Sequence, residues 1–140
     1  MIQEFVKYLE AHKDKMKLWF EGKLVDGEEP NYKDIVVAIV DNVFNADDNY
    51  DSFSTNVVEL DDGDYNGTKI FIIHRDTYEP GLGDYYYTSD YYGSCSGCDT
   101  LLRIYETVED DKEKVSLLMN VALNLLQRFN KFLDGNEELC

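Results

Sequence analysis

At 140 residues the chain has the length of one domain, 1–140, and can bury roughly two-thirds of the surface its unfolded form exposes, so it is expected to fold without staples. Its 29 Asp and Glu against 13 Lys and Arg leave a formal net charge of −16, which argues against binding nucleic-acid backbones or anionic membranes directly, since both require a basic surface. No stretch approaches the twenty or so apolar residues of a membrane span, and the opening "MIQEFVKYLEAHKDK" mixes charged and apolar residues rather than presenting a signal-peptide core; a soluble, cytoplasmic protein is the expectation.

The charge is unevenly placed. Between Asp34 and Leu102 stand fourteen Asp or Glu against only Lys69 and Arg75, so the middle of the chain carries most of the field. The cysteines, Cys95, Cys98 and Cys140, are odd in number, and without an export signal they are expected to be reduced thiols rather than a disulfide framework.

In chain order, Ile2, Phe5, Val6, Leu9, Met16, Trp19 and Phe20 fall mostly three or four apart, the spacing of one helical face. Gly22 is the expected end of this helix. After the polar "DGEEP", Asn31 can cap a second helix whose stripe is Tyr32, Ile35, Val36, Ile39, Val40, Val43 and Phe44. The acidic "NADDNYDS" stops it.

The β-branched and aromatic runs in "STNVVELDDGDYNGTKIFIIHRDTY" predict strands near 56–64 and 68–75, joined by a two-residue turn at Asn66–Gly67, a pair suited to positive φ. "DYYYTSDYY" predicts a third strand, with Tyr85 and Tyr87 on one face and Tyr86 on the other. Asp99 can cap a short helix in "DTLLRIYETV". The strongest helix signal is "EDDKEKVSLLMNVALNLLQRFNKFLDG", with Val115, Leu118, Ala122, Leu125, Phe129 and Phe132 in register and Gly135 at its end. These elements predict an α+β fold: a short antiparallel sheet of about three strands packed against two to four helices.

Several constellations could carry function. Cys95-x-x-Cys98 can supply two thiolates to zinc, with His74 as a further ligand, but a structural site needs four ligands and the second Cys or His pair is missing. As a redox pair the same thiols sit where a strand gives way to a helix N-terminus, which favours thiolate, while Asp90 and Asp99 oppose it. His74 is also the one plausible base for a cysteine nucleophile. The simplest reading is that Gly93, Ser94, Ser96 and Gly97 build a compact turn and the thiols pack as small hydrophobes; no cofactor is then expected. Asp62, Asp64, Asn66 and Gly67 match the start of a calcium loop, but Ile73 stands where its closing acid belongs.

The band of Tyr78, Tyr85, Tyr86, Tyr87, Tyr91 and Tyr92, interleaved with Asp76, Glu79, Asp84 and Asp90, has the composition of a protein-binding surface, since tyrosine combines apolar area with a polar tip. The alternative is that half of these rings line the core while the rest are ordinary sheet-surface residues.

The strings "YLEAHKDKMKLWF", "DDGDYNGTKIFII", "HRDTYEP" and "DYYYTSDYYGSCSGCDTLL" together resemble a family of small acidic proteins encoded by phages and prophages that has no assigned biochemical activity. The resemblance spans most of the chain, least at its carboxy-terminal helix, and rests chiefly on the stretch from Tyr92 to Leu101. It implies a phage origin, and a host-cell cytoplasmic location, without catalytic residues to carry over.

Small acidic phage proteins commonly bind and block host machinery, and an anionic surface can imitate a phosphate array. The expected function is a non-catalytic modulator or inhibitor of a host or defence factor, its partner a basic protein surface such as that of a nucleic-acid-binding protein. Asp47, Asp48, Asp51, Asp61, Asp62 and Asp64 are the expected charged contacts, and Tyr85, Tyr87, Tyr91 and Tyr92 the anchors. The alternatives are a metal or thiol protein using Cys95, Cys98 and His74, and a homo-oligomeric phage component with the tyrosine surface as its subunit contact. No Ser-His-Asp set, phosphate-binding glycine loop or metalloprotease helix occurs in the sequence.

Overall fold

The computed structural model describes residues 2–45, 53–61, 67–76, 81, 84–92 and 100–131. Helix α1 (Ile2–Val25) is followed by α2 (Tyr32–Ile39), which runs into a single π turn, Val40–Phe44. Strands β1 (Val58–Asp61), β2 (Gly67–His74) and β3 (Tyr85–Tyr92) come next, then α3 (Thr100–Thr107), α4 (Asp111–Gln127) and a two-residue strand β4 (Asn130–Lys131). The sheet is antiparallel in the order β1-β2-β3-β4, and the fold is α+β as its periodicities predict.

Helix α1 bends at His12, where φ is −124° and ψ 19°, within the polar run between the buried Leu9 and Met16. The helix passes through Gly22 and ends three residues later, which corrects the expectation. Glu28 N–H donates to the Lys23 carbonyl at 2.9 Å and Gly27 N–H to the Leu24 carbonyl at 3.0 Å, a Schellman closure that needs a left-handed residue at its C′ position. Gly27, with φ of 77°, supplies it.

The second helix starts where its cap residue predicts. Asn31 Oδ1 accepts from Asp34 N–H at 2.8 Å, and Asp34 Oδ2 accepts from Asn31 N–H at 3.0 Å, a reciprocal box that satisfies two otherwise orphaned donors. Tyr32, Ile35, Val36, Ala38 and Ile39 are buried, and the stripe continues through Val40, Val43 and Phe44. Asn45 N–H reaches back to the Val40 carbonyl at 2.9 Å, which widens the last turn.

Phe71 and Ile73 of β2 and Tyr86 and Thr88 of β3 point to one side of the sheet and are fully buried. Against them packs α4, with Leu118, Leu125 and Leu126 completely enclosed, and α2 lies against α4. The Thr88 hydroxyl donates to the Leu125 carbonyl, so the buried polar group of the sheet is satisfied by the helix above it. A chain of rings closes the end of the core: Phe129 meets Phe44 at 5.6 Å, Phe44 meets Phe53 at 5.4 Å, and Phe53 meets Tyr86 at 5.3 Å.

Two further expectations are corrected. Helix α4 ends at Gln127, well short of Gly135: Arg128 caps it, Phe129 turns into the core, and Asn130 and Lys131 pair with Tyr87 and Tyr86. The unpaired edge of β3 outcompetes continued helix because it satisfies backbone groups there. The second correction concerns register. A two-residue turn at Asn66–Gly67 would set Asp61 opposite Ile72, whereas Asp61 faces Lys69 and Gly67 already pairs with Tyr92 in the ladder to β3. The long β2–β3 ladder outweighs one local turn preference, and a shift of three positions moves every β1 side chain to the other face. Asn66, Asp99 and Phe132 lie outside the described residues.

Candidate partner-binding surfaces

Strand register sorts the sheet into two unlike faces. Glu59 and Asp61 of β1, Lys69 of β2 and Asp90 of β3 share the inner face with the core residues, toward one end of the sheet. There Lys69 pairs with Glu59 at 3.8 Å, and Asp90 pairs with Arg128 at 3.1 Å. The outer face takes Val58, Leu60, Thr68, Ile70, Ile72, His74, Tyr85, Tyr87 and Ser89, and among these described positions there is no carboxylate.

A second surface lies on the helical layer. The end of α1, the connection through Pro30 and the exposed side of α2 enclose an open groove of about 540 Å3, lined by Trp19, Lys23, Glu28, Glu29, Asp34 and Asp41 together with Pro30, Val37 and Ala38. All four carboxylates are exposed. The Lys23 ammonium sits over the Trp19 ring, 5.6 Å from its centroid and 3.7 Å from Glu28. Trp19 is held in turn by an edge-on contact with the buried Phe20 at 5.2 Å. A cation held between an indole face and a carboxylate is the geometry in which aromatic and charge recognition reinforce each other.

The electrostatic reach of these acids is visible at Tyr105. Its hydroxyl donates to the Pro30 carbonyl at 2.6 Å. Burial pushes its ionisation well above the ordinary phenol range, and the negative charges of Glu29 and Asp34 push it further. The phenol therefore stays protonated and serves as a donor that pins the connection at Pro30.

Of the residues singled out in the sequence, Tyr85 and Tyr87 lie on the outer sheet face and Tyr86 is buried, as the alternation predicts. Asp61 is exposed on β1 but belongs to the opposite face from Tyr87, so the fold does not bring that acid and those tyrosines together. Tyr91 and Tyr92 occupy β3 opposite Thr68 and Gly67, and their side chains lie outside the described residues, as do Asp47, Asp48, Asp51, Asp62, Asp64, Cys95 and Cys98. His74 Nδ1 lies 2.9 Å from the Arg75 carbonyl oxygen, and its ring is tilted against Tyr85 at 5.5 Å. Among the described residues no three His, Cys, Asp or Glu are grouped as metal ligands, and no helix is long and apolar enough to cross a membrane.

The groove was not anticipated from the sequence, although part of it was legible. Asp34 and Asp41 are seven apart, hence on one helical face, and "EEP" precedes the cap. What brings Trp19 beside them is the Schellman turn at Gly27, which folds the connection back along α1.

Comparison of the chain with protein-family models, with curated proteins and with solved structures finds no match.

Proposed function

We propose that this chain is a non-catalytic binding protein that engages a basic surface of another protein, of the kind that grips nucleic acid, and thereby modulates or inhibits it. Its carboxylates stand in for phosphates, and its attraction to the partner is electrostatic at long range and aromatic at contact. The observation that carries the reading is the groove in which Glu28, Glu29, Asp34 and Asp41 surround a Trp19 ring already bearing a lysine ammonium. An arginine or lysine of the partner would take the Lys23 position between the indole and the acids. The net charge of −16 supplies the steering field. The resemblance to phage and prophage proteins supports a host or defence factor as the target. Asp61, with Asp47, Asp48, Asp51, Asp62 and Asp64, extends the anionic contact in this reading.

The test is capture from a host-cell lysate on immobilised full-length chain, read by mass spectrometry with and without competing duplex DNA. The expected product is a basic nucleic-acid-binding protein that DNA displaces and that Glu28→Lys with Asp41→Lys releases. Reversal of Asp61, Asp62 and Asp64 should weaken the same capture. Retention of the same proteins at equal yield by both reversed variants would overturn the reading. Asp34 is left intact because it closes the α2 capping box.

A further inference from the structure

The outer face of the sheet is an apolar island on an anionic molecule. Val58 and Leu60 are 48% and 50% exposed and Tyr87 36%. Ile70 and Ile72 are half-buried beside them, and Tyr85 continues the surface along β3. All six side chains follow from the register, which turns the apolar positions of β1 outward and its acids inward. Contiguous exposed apolar surface framed by polar residues is the mark of an interaction site.

We propose that this face is where two copies of the chain associate, sheet against sheet. A two-fold contact places one patch on itself and so requires a surface complementary to its own copy. A face of aliphatic and tyrosine side chains with no carboxylate among its described positions meets that condition, whereas a carboxylate-rich face opposes itself. Two chains of −16 each repel, and among the described faces of the sheet this is the one on which they meet without bringing acids together. A basic partner gains little from it, because the groove that would attract such a partner lies on the helical layer. Sheets stacked in this way sit about 10 Å apart with strands roughly 30° from alignment.

The size of the patch sets the strength. Strands of up to eight residues span about 27 Å, and three strands about 15 Å across, a footprint of about 400 Å2 on each copy, which makes the contact a weak and transient one. Weak association, on the order of 100 μM, is therefore expected, and higher salt should tighten it by screening the repulsion between the two chains.

Sedimentation velocity of the full chain, from about 5 to about 500 μM at low and high salt, tests this. The expected result is a reversible dimer, stronger at high salt and weakened at least about tenfold by Leu60→Asp or Tyr87→Asp. Both positions are exposed, and circular dichroism of each variant checks that the fold is retained. Glu28→Lys with Asp41→Lys should leave the dimer intact, so failure of the groove reading and failure of the dimer are separately visible. A chain that stays monomeric throughout, or a dimer indifferent to both sheet substitutions, overturns the proposal. So does a monomer that loses capture of a basic protein through Leu60→Asp, which would assign the face to that partner.

Discussion

The side chain of Asn45 is joined to the backbone of Phe53 by two reciprocal hydrogen bonds: Asn45 Nδ2 donates to the Phe53 carbonyl, and Phe53 N–H donates to Asn45 Oδ1, both at 2.7 Å. The amide thus acts as a strand neighbour for Phe53, which also forms a β-bridge with Arg75. Phe53 lies at the centre of this end of the core. Its ring contacts Phe44 and Tyr86, and the Arg75 guanidinium stacks 5.0 Å from its centroid. Arg75 also donates to the Tyr86 hydroxyl at 3.0 Å. One amide at the end of the α2 segment therefore fixes both margins of the acidic stretch between 45 and 53.

Asn45→Ala should destabilise the fold by about 1–3 kcal/mol, because it strands a backbone donor and an acceptor at a buried residue. Urea unfolding measures this directly. A loss below about 0.5 kcal/mol, the scale of an ordinary surface change, would show that water replaces the amide without cost and that the clamp is incidental.

The two glycines of the first helical segment should respond in opposite directions. Gly27 has φ of 77° and closes the Schellman turn, so Gly27→Ala should cost roughly 1 kcal/mol through left-handed strain. Gly22 lies inside α1, is exposed, and has open space where a Cβ would stand. Gly22→Ala should stabilise by up to about 1 kcal/mol through helix propensity. Thermal unfolding of the two variants side by side gives the sign of each; stabilisation by both would remove the turn assignment.

Tyr105 predicts a loss of stability in alkali. Its phenol ionises well above the ordinary value of about 10 in the folded chain, so the folded state holds a proton that the unfolded state releases. Its contribution is complete below pH 10 and declines as pH rises above it toward the folded value. Tyr105→Phe lacks that titration and also the hydrogen bond to Pro30. Its unfolding free energy should be lower at pH 8 and should fall less steeply than that of the parent between pH 10 and 11. Parallel slopes for the two proteins would contradict burial and carboxylate proximity at Tyr105.

Much of the architecture was readable residue by residue where local chemistry acts alone. The Asn31–Asp34 box, the stripe of α2, and the alternation that turns Tyr86 in and Tyr87 out each depend on neighbours within a few positions. Reading failed where a distant partner entered the competition. Sequence spacing predicts Gly22 as the stop, but the helix runs through it, and Gly27 is the residue that returns the connection against α1. Phe129 continues the α4 periodicity, but the open edge of β3 and the aromatic pocket at Phe44 draw it out of the helix.

The sequence by itself determined which residues seek the interior, because apolar spacing and cap chemistry are local and each helix or strand carries its own period. The tertiary structure alone decided what the surface became. Pairing of β1 with β2 three positions away from the expected turn placed Val58 and Leu60 outward and Glu59 and Asp61 inward, and closure at Gly27 set Trp19 among the carboxylates of α2 and the loop before it. Both outcomes depend on how whole elements meet, the β2–β3 ladder in one case and the seating of α1 beside the α2 segment in the other, where the summed energy of a ladder or a packed helix pair exceeds any single turn's preference.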